Sequence, residues 1–160
     1  MKLKLLKVLF LIISISLYLE ADSKILNINT IVEKATQKNK QIMIFFHMIH
    51  CGYCKRMEHK TFQDQKVKQL INNNFIFIDI NIDHSEKVIF NNNIYSKNDF
   101  AHHLDVDFFP TVVFFDENTD ITYTARGYRK IDKFQKILEY MATKSFETID
   151  FFDYYNKNKE

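Results

Sequence analysis

The chain has 160 residues, 46% of them apolar and 26% charged, which suits one folded domain and leaves little room for a second. Two Cys, two Gly and one Pro exclude a multi-bridge disulfide scaffold, a four-thiolate zinc or iron–sulfur site, a Gly-rich phosphate loop and a Pro-rich linker. The formal charge of +2, from 22 basic and 20 acidic residues, traces to the start of the chain.

Residues 1–21 have the layout of a secretory signal peptide. Lys2, Lys4 and Lys7 give a positive start, Val8 to Leu19 is uncharged, and Glu20-Ala21 precedes Asp22 with a small residue. The uncharged run is short of the roughly 20 apolar residues that a membrane span needs; an uncleaved anchor is the alternative. Taking residues 1–21 away removes three Lys and one Glu, so residues 22–160 carry 19 basic and 19 acidic side chains. No basic patch then argues for nucleic acid. The expected organisation is a signal peptide over 1–21 and a single domain over 22–160 without a membrane span. Export would place the two cysteines where disulfides persist.

In chain order, Thr30 to Asn39 reads as a helix, with Thr30 as N-cap and Glu33 completing a capping box. Ile42 to Phe46 is an apolar run of strand length, and Asn74 to Ile82 and Thr111 to Phe115 contain two more. Successive apolar residues suit central strands covered on both faces. Residues Cys54 to about Lys60 read as helix, and Asp64 caps a segment with Val67, Leu70 and Ile71 at helical spacing. Asn72–Asn74 and Asn91–Asn93 read as loops, and Ser96 caps a helix to about Leu104. Ile121 to Ala125 alternates as an edge strand does, joined to the preceding strand by the polar turn Asp116 to Asp120. Asp132 caps a helix to about Ala142, and Phe146 to Tyr155 is a candidate last helix. The order predicts a mixed α/β fold with a parallel part and a terminal hairpin.

Both cysteines lie in Cys51-Gly52-Tyr53-Cys54, just past the first apolar strand and at the start of a helix. The unpaired N–H groups of a helix N-terminus stabilise a thiolate, the attacking species in disulfide exchange. A separation of three puts the second sulfur within reach of the first, so the pair could cycle between dithiol and disulfide. Cys51, nearer the helix end, would attack; Cys54, deeper, would resolve. A plain stabilising disulfide is one alternative, but a loop of about four residues is worth only roughly 2 kcal/mol. Half of a zinc site is the other, and it lacks a second Cys pair.

Strand, Cys-x-x-Cys, helix, later strand, then Phe109-Pro110-Thr111 opening another strand resembles the thioredoxin superfamily, and in particular its exported bacterial members. Cys51 to Met57, Asn74 to Asp83, Phe109 to Asp116 and Arg126-Gly127-Tyr128 carry the resemblance, which covers roughly residues 25 to 145. It implies a thioredoxin fold, with a central mixed sheet flanked by helices and an inserted segment around 83–104. It also implies a cis Pro110 beside the cysteines, with the neighbouring backbone free to pair with an extended substrate. Gly52, Tyr53, Phe109, Pro110 and Thr111 would form the motif and substrate contacts; Phe109 would either face the sulfurs or pack in the core.

The departures are specific. Thioredoxin proper has Trp before the first cysteine, Gly-Pro between the two, and a buried acid six residues ahead; here those places hold His50, Gly52-Tyr53 and Phe45. His47, His50 and Glu58 are the candidates to tune the thiols in place of that acid. His59, His84, His102 and His103 read as surface residues. The expected activity is exported, periplasmic thiol–disulfide exchange with protein substrates, of reductase or isomerase type, kept reduced by a membrane electron-donor protein. The redox-active Cys51–Cys54 disulfide is expected to serve with no cofactor and no metal. Two alternatives stand beside it: a thiol oxidase, and a copper-binding chaperone built on His47, Met48, His50, Cys51 and Cys54.

Overall fold

A computed structural model describes residues 25–157; the expected signal segment over 1–21 lies outside them. The elements in order are β1 (Leu26–Asn27), α1 (Ile28–Gln37), β2 (Gln41–His47), α2 (Gly52–Arg56), a π-helical turn (Met57–Thr61), α3 (Gln65–Asn74) and β3 (Phe75–Asn81). There follow β4 (Lys87–Phe90), β5 (Asn93–Ser96), α4 (Lys97–His103), β6 (Thr111–Phe115), β7 (Ile121–Arg126), α5 (Ile131–Ala142), a 3-10 turn (Ser145–Glu147) and α6 (Phe151–Lys157).

The mixed α/β architecture is the expected one, with its strands divided between two sheets. Four strands run in the order β3-β2-β6-β7, and three in the order β1-β4-β5. In the larger sheet β2 and β3 are parallel, while β6 is antiparallel to both β2 and β7. The chain reaches β3 from β2 through α2, the π turn and α3, the long crossover that a parallel pair requires.

Strand β2 is buried from Ile42 through Phe46 because both faces of the sheet are covered. Alternate residues serve opposite layers. Ile42, Ile44 and Phe46 join Ile78, Ile80, Val113 and Phe115 in a core shared with Ile28 of α1, Val88 of β4 and Phe100 of α4. Met43 and Phe45 join Val112 and Phe114 on the other side, against Met57, Val67, Phe134, Ile137 and Leu138. Each fully buried Phe or Ile contributes about 1.5–3 kcal/mol relative to leaving it in water. Three aromatic rings on the second face, Phe45, Phe62 and Phe77, meet pairwise with centroids 4.8, 6.5 and 5.5 Å apart.

Several local expectations are corrected. Strand β3 is an edge of its sheet rather than a central strand, and Phe77 is 39% exposed there. Residues 72–74 complete α3, which runs directly into β3. Asn91 and Asn92 do form a turn, both at positive φ, but Asn93 already belongs to β5. The hairpin β4–β5 and the short β1 are additional strands that the pattern did not indicate. Helix α1 is capped by Asn27, whose side chain accepts the N–H of Thr30, so Thr30 lies inside the first turn. Helix α5 starts after Lys130 with no side-chain cap, leaving Asp132 in its first turn. The expected caps Asp64 and Ser96 do accept the N–H groups of Val67 and Asp99. That hydrogen bond from Val67 is the main reason the Asp64 carboxyl sits below its ordinary pKa.

Candidate active site

Cys51 is the N-cap of α2. Its backbone is extended and its sulfur accepts the N–H of Cys54 at 3.1 Å, the capping contact that an oxygen more often makes. The helix therefore begins at Gly52, earlier than the Cys54 start read from the pattern. The two cysteines form a disulfide with Cα atoms 5.2 Å apart. Cys51 is half-buried, whereas Cys54 is fully buried in the core that also holds Phe45, Met57 and Phe134. The outer and inner sulfurs are thus distinct by position. Below the motif the α-helix passes into the π turn Met57–Thr61, a form most often seen as a local bulge at functional sites.

The approach to the motif is held by contacts to the neighbouring strand. Ile82 donates its N–H to the carbonyl of His47 at 2.9 Å, and Ile49 donates to Asp83 Oδ2 at 2.7 Å. Asp83 in turn donates its own N–H to Asn81 Oδ1. These bonds fix residues 47–49 to the end of β3 just before Cys51. Thr61 Oγ1, buried in the π turn, donates to the carbonyl of Arg129 at 2.9 Å and ties this helical segment to the loop before α5.

The loop at Pro110 has its own bracing. The Phe109–Pro110 peptide bond is cis. Thr111 Oγ1 donates to the carbonyl of Phe108 at 2.7 Å, and Gly127 N–H donates to the carbonyl of Pro110 at 2.7 Å. Gly127 sits at φ 81°, where a side chain would be strained. Pro110 and Thr111 are buried, Phe109 is half-buried between the two cores, and Phe108 is 68% exposed. Among the described residues no backbone hydrogen bond engages the N–H or C=O of Phe109.

Tyr53 is 63% exposed and stacks on Tyr128, centroids 6.0 Å apart, while the Arg56 guanidinium lies 5.3 Å from the centre of the Tyr128 ring. Gly52 and His50 are exposed. Phe45, at the place where thioredoxin proper has an acid, is fully buried against Phe62 and His47. His47 is turned toward two carboxylates: Nδ1 is 3.3 Å from Glu58 Oε1 and Nε2 is 2.6 Å from Asp79 Oδ1. These three are the group, among the described residues, whose atoms could together hold a metal ion. His59, His84, His102 and His103 are all exposed, as read from the sequence.

Asp79 and Thr61 were not singled out as site residues in the sequence, and Asp83 and Tyr128 entered only as parts of the stretches that carry the resemblance. Asp79 carried the only signal, a charge interrupting an apolar strand. The others act through contacts that no local pattern encodes.

The thioredoxin-like domain family matches residues 28–142. No curated protein is similar enough to count as a match. Among solved structures, a thioredoxin-fold protein from Helicobacter pylori is 25% identical, with a TM-score of 0.63, over 76% of this chain and 81% of that one. A thioredoxin from Thermus thermophilus is 21% identical, with a TM-score of 0.61, over 75% and 87% respectively. The C-terminal domain of Neisseria meningitidis DsbD is 18% identical, with a TM-score of 0.54, over 70% and 90%. The last two likenesses speak for the fold alone. With its paired cysteines joined at the head of a helix on that fold, the chain belongs to the thioredoxin-like domain family and is a thiol–disulfide oxidoreductase in kind.

Proposed function

We propose that this protein is an exported reductase or isomerase of protein disulfides, working in a bacterial periplasm, with Cys51 as nucleophile and Cys54 as resolving thiol. The observation that carries the reading is the asymmetry of the pair: Cys51 caps a helix at the surface edge of the core and Cys54 is fully enclosed beneath it. In the dithiol form, the N–H groups at the start of α2 favour a thiolate at Cys51. That thiolate attacks one sulfur of a substrate disulfide, forming a mixed disulfide and expelling the other sulfur as a thiolate. Cys54 then loses its proton and attacks Cys51 Sγ, releasing the second substrate thiolate and closing the Cys51–Cys54 disulfide. The substrate gains two electrons and the pair loses two. Return to the dithiol needs a reduced dithiol donor, which we assign to a membrane electron-carrier protein.

The open backbone of Phe109 suits an extended substrate segment lying beside the motif, in the manner of strand addition. Tyr53 and Phe108 offer exposed rings to such a segment. Among the described residues no helix is long and apolar enough to cross a membrane. The pair needs no further redox group for this exchange.

Trapping tests the proposal. Cys54→Ser should accumulate mixed disulfides through Cys51 with exported proteins, released by reductant, and Cys51→Ala should abolish reduction of insulin disulfides. Full insulin reduction by Cys51→Ala would remove Cys51 from its role. Mixed disulfides that form only in the absence of a reducing partner would point to oxidase chemistry instead.

A further inference from the structure

We infer that His47 and Glu58, oriented by Asp79, form a binding site for a divalent first-row transition-metal ion, with Zn²⁺ as the natural probe. The site uses neither sulfur as a ligand and does not depend on the exchange reaction proposed above.

Three elements converge to make it. His47 ends β2, Asp79 lies on β3 and Glu58 comes from the π turn. Register puts Asp79 opposite Phe45, so Asp79 and His47 rise on the same face of the parallel pair. The imidazole stacks on the buried Phe45 ring, centroids 5.0 Å apart and planes 11° apart, which restricts its tilt. Its two nitrogens then have different surroundings. Nε2 lies 2.6 Å from Asp79 Oδ1, a short hydrogen bond in which the ring donates. With the proton on Nε2, the Nδ1 lone pair is free and points toward Glu58 Oε1 at 3.3 Å.

That separation has chemical meaning. Zinc bonds to nitrogen and oxygen are about 2.0–2.1 Å, so two ligand atoms on a tetrahedral ion stand about 3.3–3.4 Å apart. Nδ1 and Oε1 are at that spacing before any ion is added. The Asp79–Nε2 contact is the carboxylate–histidine arrangement that orients ligating imidazoles and raises their basicity. One neutral imidazole and two carboxylates give the cluster a formal charge of −2, suited to a dication. The donors are nitrogen and oxygen, which favour Zn²⁺, Co²⁺ or Mn²⁺ over the Cu(I) that the sulfur-centred constellation suggested.

The remaining coordination positions face outward. The side chain of His47 is 12% exposed, that of Glu58 29% and that of Asp79 52%. A cleft of about 300 Å³, lined by Glu58, Phe62, Phe77 and Asp79 among others, opens beside the two carboxylates. It gives water or an external ligand access to the ion. The site is therefore of the open type, with fewer protein ligands than a structural zinc centre, and it should bind at micromolar rather than tighter levels.

The test is zinc titration by calorimetry into the oxidised, tag-free protein, in which the disulfide removes both thiols as ligands. One ion per chain is expected at micromolar metal. Glu58→Gln and His47→Gln should abolish that binding, and Asp79→Asn should weaken it by roughly 10- to 100-fold. Circular dichroism checks that each variant is folded, and Glu58→Gln and Asp79→Asn keep the size and shape of the side chain. Cobalt in place of zinc should give visible absorption bands in the wild type that Glu58→Gln lacks. No saturable zinc binding by the oxidised wild type would overturn the inference and leave His47 as a side chain held between two carboxylates. Binding unchanged by Glu58→Gln would overturn it equally, because the ion would lie elsewhere. The thiol-trapping result bears on neither outcome.

Discussion

Reducing the Cys51–Cys54 disulfide should lower the stability of the fold by about 1–2 kcal/mol. The bridge joins residues separated by three, closing a loop of about four residues whose entropy cost to the unfolded chain is about 2 kcal/mol. Against this, reduction frees Cys51 to ionise at the head of α2, and a charge at a helix terminus recovers about 0.3–1 kcal/mol. Cys54 recovers nothing comparable, because it is fully buried among apolar side chains. The net favours the oxidised form, and for a domain of this size each kcal/mol moves Tm by about 4 °C. Scanning calorimetry of the oxidised and the fully reduced protein at neutral pH should therefore show the reduced form melting about 4–8 °C lower. A reduced form that melts at or above the oxidised one would refute this balance of terms. It would mean that the Cys51 thiolate is held far more strongly than a helix end can manage. The native state would then favour the dithiol, which is the behaviour of an oxidant, and the reductase assignment would fall with it.

Asp64 has a carboxyl pKa below its ordinary value of 3.8, chiefly through the Val67 N–H. It therefore contributes stability that is present above that value and lost as the pH falls through the lower folded-state pKa. Tm measured on acidification from about pH 6 to about pH 3 should fall less steeply for Asp64→Asn than for the wild type, and an unchanged slope would remove Asp64 from the acid response. Tyr53→Ala should leave stability within about 0.5 kcal/mol, since the side chain is 63% exposed, yet raise KM severalfold for a peptide disulfide with little change in kcat; an unaltered KM would show that the ring takes no part in substrate binding.

The parts of this molecule that were legible in its sequence are those whose cause is local. Strand β2 announces itself because every residue from Ile42 to Phe46 is buried, and an unbroken apolar run of that length belongs to a strand covered on both faces. Asp64 and Ser96 are legible as caps because a carboxylate or hydroxyl can accept the N–H three residues on, although the same signal misplaces the helix starts at Thr30 and Asp132. The cysteine pair and Pro110 were legible as chemistry, being rare residues in a recognisable order. Other features depended on distant partners. Strand β3 reads as central because Phe75 to Ile78 is apolar throughout, and nothing in that run tells that no strand lies beyond it. Strand β5 has one apolar and one aromatic residue among four, and pairs because two asparagines at positive φ turn the chain back onto β4. The sequence pattern points to Thr30 as the cap of α1, whereas the structure starts the helix one turn earlier, with Asn27 as cap and Ile28 already buried. The bracing of the motif by Asp83 and Thr61 crosses 34 and 68 residues of chain, a separation at which no periodicity carries information.

The stacked pair of Tyr53 and Tyr128 has an optical consequence. The chain contains no tryptophan and eight tyrosines, so ultraviolet emission comes from phenol rings without a stronger indole signal to mask it. Disulfides quench excited phenols at short range, and Tyr53 is the residue between Gly52 and Cys54, inside the bridged loop itself. Oxidation and reduction of the pair should therefore dim and restore emission from this stack, giving each turnover a fluorescent trace without any label attached.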